Sequence, residues 1–374
     1  MKWLYGLLCL IFLILFHEFG HFLAAKLFGV KVESFSVGFG PVLFHKTFKG
    51  TDYRLSLLPL GGYCGMKGED EYRKAIEENL PEIPAEPDSL YGVHPLKRAL
   101  IGFAGPFFNF ILAVIFCSFV NGIGYEYYTY SNKIILANEV IPGASMAAEN
   151  AGIKSGDKII KIGKKEITDF SEMYSEISIH PDEDILITVD RNGQILEFMV
   201  HSDLDKSTGS GKIGVVSDSK NVIKKHTPHY NFFEAICHGF LDCCNYISVT
   251  FKSVKILFKG IDFSNAVSGP ARVTEMLGST VKDGFSAGLK TGFISIFQLM
   301  SIISISLFIM NLLPIPVLDG GLILFAIIEA ISHKKIKPKT QYYIQFIGIA
   351  FIAILFIVAV TSDITYFIHK GINK

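Results

Sequence analysis

Two histidines and a glutamate stand in "LFHEFGHFLA", residues 15–24, within one of the most apolar stretches of the chain. His17 and His21 are four residues apart. On an α-helix both imidazoles leave one face, one turn apart, where they can grip a single zinc ion, and Glu18 lies beside that face. Two histidines packed in a core or bonded to backbone would give the same five-residue pattern. Lipid weakens that alternative, because an unpartnered polar group is costly where no water can satisfy it. One metal ion satisfies both imidazoles at once.

A catalytic zinc takes a third protein ligand and keeps a fourth position open. "NLLPIPVLDGG", residues 311–321, supplies Asp319 after a long uncharged run. An acid at that depth calls for a partner. Pro314 and Pro316 break regular helix just before it, and irregular backbone in a membrane is tolerated only against protein or a water-filled cavity. Glu33 and Glu329 are rival ligands without a comparable setting.

Such a site must be held by membrane spans. The chain has 374 residues, is 50% hydrophobic and carries no net charge, which points to a membrane protein and gives no basic surface for nucleic acid. Six cysteines are scattered without a CxxC pair, so neither a zinc ribbon nor a disulfide framework is indicated. Runs long enough to span a bilayer cover 3–25, 99–121 with a kink expected at Pro106, 291–313 and 342–362. The first has a lysine ahead of an apolar core, as a secretory signal does, but carries charges in its second half and lacks an A-x-A site.

Lysines 334, 335, 337 and 339, and Lys26, Lys31, Lys97 and Arg98 around the first connection, put both links on the cytoplasmic side. Both termini and the region from 122 to 290 then lie outside the cytoplasm. Spans one and three run in the same direction, so HEFGH and Asp319 reach the same cytoplasmic depth.

Residues 31–64 alternate like strands and carry Gly-Pro and Gly-Gly breaks. They read as a β-hairpin region with an edge free to pair with an extended peptide. Residues 65–95 are an acidic, proline-bearing cytoplasmic excursion, helical at first. Residues 125–217 mix short strands, a helix ending at Gly152 and an Asn192-Gly193 hairpin turn, as a small α+β domain does. Within 228–290, residues 232–259 look amphipathic, with Phe240, Phe251, Val254 and Phe258 against Lys252, Lys255 and Lys259. An interfacial helix and a helix of the soluble domain both fit that pattern.

Together, HEFGH, "GFGP" (38–41), "LSLLPLGGY" (55–63), "GPFFN" (105–109) and "NLLPIPVLDGG" resemble the site-2 protease family of intramembrane zinc proteases, in particular its bacterial RseP-like branch. The resemblance covers nearly the whole chain. It implies a polytopic α-helical membrane protein with four transmembrane helices, a membrane-associated β-hairpin (1–121 and 291–374 forming the two membrane halves), and an extracytoplasmic α+β PDZ-like domain. It implies one Zn2+ on His17, His21 and Asp319, with Glu18 as catalytic base. It also implies substrate contacts at Asn311, Pro314, Pro316, Gly38, Gly40 and Asn109. "GKIGVV" (211–216) matches the PDZ strand whose loop receives a peptide C-terminus, at Gly211, Lys212, Ile213 and Gly214. The implied partners are single-span membrane proteins, such as anti-sigma factors or remnant signal peptides, peptide C-termini and the lipid bilayer. The implied place is the bacterial cytoplasmic membrane. Branch members with two tandem PDZ domains differ from this chain, which has room for one. A membrane metal transporter, or a PDZ scaffold without proteolysis, is the alternative function.

Overall fold

The computed structural model describes residues 1–206, 208–218, 221–257 and 268–372. Phe258 and Lys259, counted above in the amphipathic stretch, lie outside them. The chain divides into two compact units: 1–123 with 230–247 and 268–374, and 124–229 with 248–267.

The first unit is built on helices. Four of them are long and apolar enough to cross a membrane, among the described residues: α1 (Lys2–Leu27), α3 (Pro95–Ile123), α8 (Leu289–Leu312) and α10 (Pro338–Ile372). Between or beside them in sequence come α2 (Glu69–Glu77), α6 (Phe232–Leu257, whose residues to 247 fall in this unit), α7 (Pro270–Ala287) and α9 (Asp319–Ser332). Helix α1 is apolar on nearly every side. Its buried stripe is Leu13, His17, Gly20, His21 and Ala25, while Leu4, Leu8, Phe12, Phe19 and Leu23 face outward. Outward apolar residues are what a helix needs where the solvent is lipid; the polar ones turn inward. Pro106 lies inside α3 without ending it.

Ion pairs tie helix ends at both faces of this unit. Lys2 opening α1 and Lys370 closing α10 both reach the buried Glu275 of α7, at 2.7 and 2.9 Å. At the other ends Arg98 of α3 pairs with Glu329 of α9. Asp363 of α10 accepts from the backbone N–H groups of Gly269, Ala271 and Arg272 and so caps the start of α7.

Strands β1 (Val32–Phe48) and β2 (Thr51–Met66) pair through several register shifts. Residues 34–37 have partners on both sides: 62–65 towards one and 52–55 towards the other. The sheet therefore folds back on itself, and the end of β2 is left as an outer strand.

The second unit carries a five-stranded sheet in the order β6-β5-β7-β8-β9, where β5 is Lys158–Ile162, β6 Lys165–Glu166, β7 Glu183–Arg191, β8 Gln194–Leu204 and β9 Gly211–Lys212. Alternation places Ile185, Ile187 and Val189 of β7 inward. A register shift between Ile159 and Lys161 lets Ile159 and Ile162, three apart, face the same core. The expected turn is present: Asn192 and Gly193 both have positive φ, as a two-residue I′ hairpin demands. Helix α4 (Ala147–Asn150) adds Ala148 to the core, and α5 (Phe170–Ser178) covers it with Met173 and Ile177. Two strand pairs complete the unit: β3 (Glu126–Tyr130) with β11 (Val222–His226), and β4 (Ile134–Leu136) with β10 (Val215–Ser217).

Asp169 pins α5. It caps the helix through Glu172 N–H at 2.9 Å, meets the Lys225 ammonium of β11 at 2.6 Å, and is fully buried. Burial alone would raise its carboxyl; Lys225 and the Glu172 N–H outweigh that and hold it below its ordinary 3.8. A depressed folded-state value gives stability that is present above the ordinary value and lost as pH falls through the folded one. Hydrogen exchange of the full chain should therefore show α5 and β11 losing protection on acidification from roughly pH 5 downwards. Asp169→Asn should start less protected and respond far less to acid over that range.

Candidate metal centre

Helix α1 brings His17 and His21 to its buried face, and α9 begins at Asp319. The structure closes the three onto one point. His17 Nε2 lies 3.2 Å from Asp319 Oδ2, His21 Nε2 lies 3.3 Å from Asp319 Oδ1, and the two Nε2 atoms are 3.2 Å apart. All three ligand atoms fall within 4.8 Å of one another, the one such cluster among the described residues. Two imidazole nitrogens and a carboxylate oxygen form a donor set suited to a tetrahedral divalent ion with one open position. The rivals are engaged elsewhere: Glu329 with Arg98, and Glu33 with Lys31 at 3.8 Å.

The far nitrogen of each ring is also held. His21 Nδ1 donates to the Ile101 carbonyl at 2.8 Å, and His17 Nδ1 lies 3.0 Å from Asn109 Nδ2. Such partners fix ring orientation in metal sites. Asn109 was expected among the substrate contacts. The structure places it fully buried on α3, with its amide against His17.

Asp319 is delivered by a broken helix. Helix α8 stops at Leu312, Pro314 and Pro316 occupy the gap, and α9 restarts at Asp319. Ile315 N–H bonds the Leu313 carbonyl at 2.7 Å and Leu318 N–H bonds that of Ile315 at 3.0 Å, so the gap is a tight turn. Val317 sits at φ 99°, a region β-branched residues rarely enter, at a cost of about 1–3 kcal/mol. The chain folds so closely here that a Cβ on Gly320 would lie 2.1 Å from the Leu313 carbonyl oxygen. Glycine after Asp319 is thus a steric requirement.

Glu18 is half-buried on the adjoining face of α1, and its carboxylate accepts a hydrogen bond from the backbone N–H of Cys64 in β2. Cys64 is partnered in the sheet by Phe35. Gly62, two residues earlier, stands beside the Glu18 side chain: a Cβ there would lie 3.2 Å from its Cγ. The outer edge of β2 runs past the glutamate.

The other expected residues are placed as follows. Asn311 is in the last turn of α8, half-buried. Gly38 and Gly40 have φ of 89° and 83° in β1, and Gly38 packs on the carbonyls of Ser56 and Leu58. In the second unit, Gly211, Lys212, Ile213 and Gly214 line a cavity of 400 Å3 with Ile141, Tyr174 and their neighbours.

Three supports were not read from the sequence: the Ile101 carbonyl, the Cys64 N–H and Gly105. A Cβ on Gly105 would fall 2.1 Å from His21 Nε2. "GPFFN" was seen as a motif, but only the packing of α3 on α1 shows what its glycine leaves room for.

The description of peptidase family M50 matches residues 5–355. The chain belongs to that family. Among proteins similar to this M50 chain, one from Treponema pallidum is 34% identical over 98% of the chain and all of the relative. Another from Campylobacter jejuni is 34% identical over 99% and 95%, and one from Clostridium acetobutylicum is 31% identical over 95% and 94%. Each is provisionally named a zinc metalloprotease.

Gly105→Ala tests the geometry. The added methyl must displace the His21 ring, so metal bound by the purified chain should fall at least tenfold in affinity, about the loss seen when a ligand's support is removed. Metal analysis after dialysis against a weak chelator measures it, with size-exclusion behaviour reporting intact folding.

Proposed function

We propose that this M50 chain is an intramembrane zinc metalloprotease that cleaves membrane-spanning segments of other proteins. The observation carrying the reading is the convergence of His17, His21 and Asp319 on one point of an apolar helix bundle, with Glu18 beside it and tied to none of the three. A bound zinc supplies Lewis acidity, bringing the pKa of water down to about 7 and polarising a carbonyl. His17, His21 and Asp319 hold it. Glu18 takes the proton from the attacking water and passes it to the departing amine. The Cys64 N–H keeps the Glu18 carboxylate turned towards the site.

A substrate helix keeps its carbonyls bonded internally and must unwind before attack. The outer edge of β2, which passes Glu18, offers backbone groups for the unwound stretch, and the Asn311 amide offers a side-chain partner. The orientation read from the lysines puts the site near the cytoplasmic face of the bacterial cytoplasmic membrane and the second unit outside. We read that unit as a PDZ-like domain binding exposed C-termini of single-span proteins at residues 211–214; the cavity those residues line supports binding over a purely steric role.

Detergent-purified protein should cut a tagged single-span substrate and carry about one zinc per chain. Glu18→Gln should keep the zinc and lose roughly 10²–10⁴-fold in rate. Zinc retained with no cutting by wild type of several substrates would turn the reading towards metal handling. Asn311→Leu should slow cutting with zinc unchanged. Deleting 125–217 should abolish cleavage of substrates with exposed C-termini; a broadened substrate range instead would mark the domain as a size filter.

A further inference from the structure

We propose that Asn109 decides which nitrogen of His17 carries the ring proton, and thereby readies His17 as a zinc ligand. This rests on the zinc reading above and adds a positioning residue to it. The two imidazoles are supported by partners of different kinds. His21 Nδ1 faces the Ile101 carbonyl at 2.8 Å. A carbonyl only accepts, so Nδ1 holds the proton and Nε2 presents its lone pair. His17 Nδ1 faces the amide of Asn109 at 3.0 Å, and an amide can donate from one end or accept at the other.

In the arrangement observed, Asn109 Nδ2–H donates to His17 Nδ1. With the amide in that sense a neutral His17 carries its ring proton on Nε2, the atom that lies 3.2 Å from Asp319 Oδ2 and 3.2 Å from His21 Nε2. To ligate through Nε2, His17 must move its proton to Nδ1, and its neighbour must then accept. Turning the Asn109 amide over does this, with Oδ1 taking the place of Nδ2.

A second observation supports the turn. Asn109 Oδ1 is buried and has no hydrogen-bond partner among the described residues, so the contact with His17 alone sets the sense of the amide. The residue is anchored through its backbone instead, where its carbonyl accepts from Ser304 Oγ of α8 at 2.8 Å. The side chain is thus free to follow the His17 tautomer while its position stays fixed. Leucine would fill the space and serve neither tautomer. Aspartate would serve only the ligand tautomer, as an acceptor.

The experiment uses the full chain in detergent, stripped of metal and titrated with Zn2+ against a chromophoric chelator. Cobalt spectra of the same samples report ligand geometry. Asn109→Leu should weaken zinc roughly 10–100-fold. Asn109→Asp should bind as tightly as wild type or tighter, with unchanged cobalt bands. A packing role predicts the reverse order, since a carboxylate buried at membrane depth is costly; leucine equal to or better than aspartate would overturn the proposal. So would equal affinity in all three. Should the aspartate variant fail to fold, Asn109→Ser, whose hydroxyl also donates or accepts, replaces it and should exceed leucine in affinity. A wild-type chain that takes up no zinc would overturn the zinc reading as well, and only that result touches both.

Discussion

A carboxylate and two imidazoles must meet at one point inside an apolar bundle, and most of the first unit is arranged to allow it. Polar groups among apolar helices each need a partner. Asp319 reaches the point because α8 breaks and α9 restarts under it. The histidines reach it because α1 and α3 approach at Gly105, where a methyl group would collide with His21. The strained Val317 backbone and the glycine after Asp319 are the local cost of bringing a helix start to that depth.

The same constraint shapes the sheet. A two-stranded hairpin alone is marginal in water, but here residues 34–37 are partnered on both sides, and the region packs through Val32 and Met66 on Ala25 and Ile101 of the helices. The result is an outer strand with a fixed place. It gives one backbone N–H, that of Cys64, to Glu18. A strand that both orients the base and offers its edge would put an unwound peptide next to that base without any further element.

The helices were legible because lipid leaves few choices: each span is apolar around its whole circumference, and interruptions such as HEFGH and Pro314 to Asp319 stand out. The convergence of His17, His21 and Asp319 was legible for the same reason, all three being ionisable groups with no other excuse for their depth. The hairpin at Asn192-Gly193 was readable from its turn chemistry. What was not legible is whatever depends on packing between distant segments. The Ile101 carbonyl has no side-chain signature, and Gly105 looks like any helical glycine until His21 is placed against it. Asn109 carries a signal, a polar amide in a span, but sequence cannot tell a residue facing substrate from one facing a histidine. The folded-back register of β1 and β2 was hidden because alternation marks strands and says nothing of their order.

The weight between proteolysis and metal handling rests on how the remaining ionisable groups of the first unit are used. A transport path needs charged groups free to pass an ion on. Glu275 is held by Lys2 and Lys370, Glu329 by Arg98 and the Ile336 N–H, and Asp363 by three backbone N–H groups at the start of α7. Each has a structural task at a helix end. Glu18 differs from all of them. It lies next to His17 in sequence, beside the cluster of His17, His21 and Asp319, and stays half-buried on the side where the sheet edge passes. A carboxylate beside the three converging residues, with no cation partner among the described ones, has little to do in carrying an ion, whereas the proposed taking and returning of a proton requires a group placed in that way.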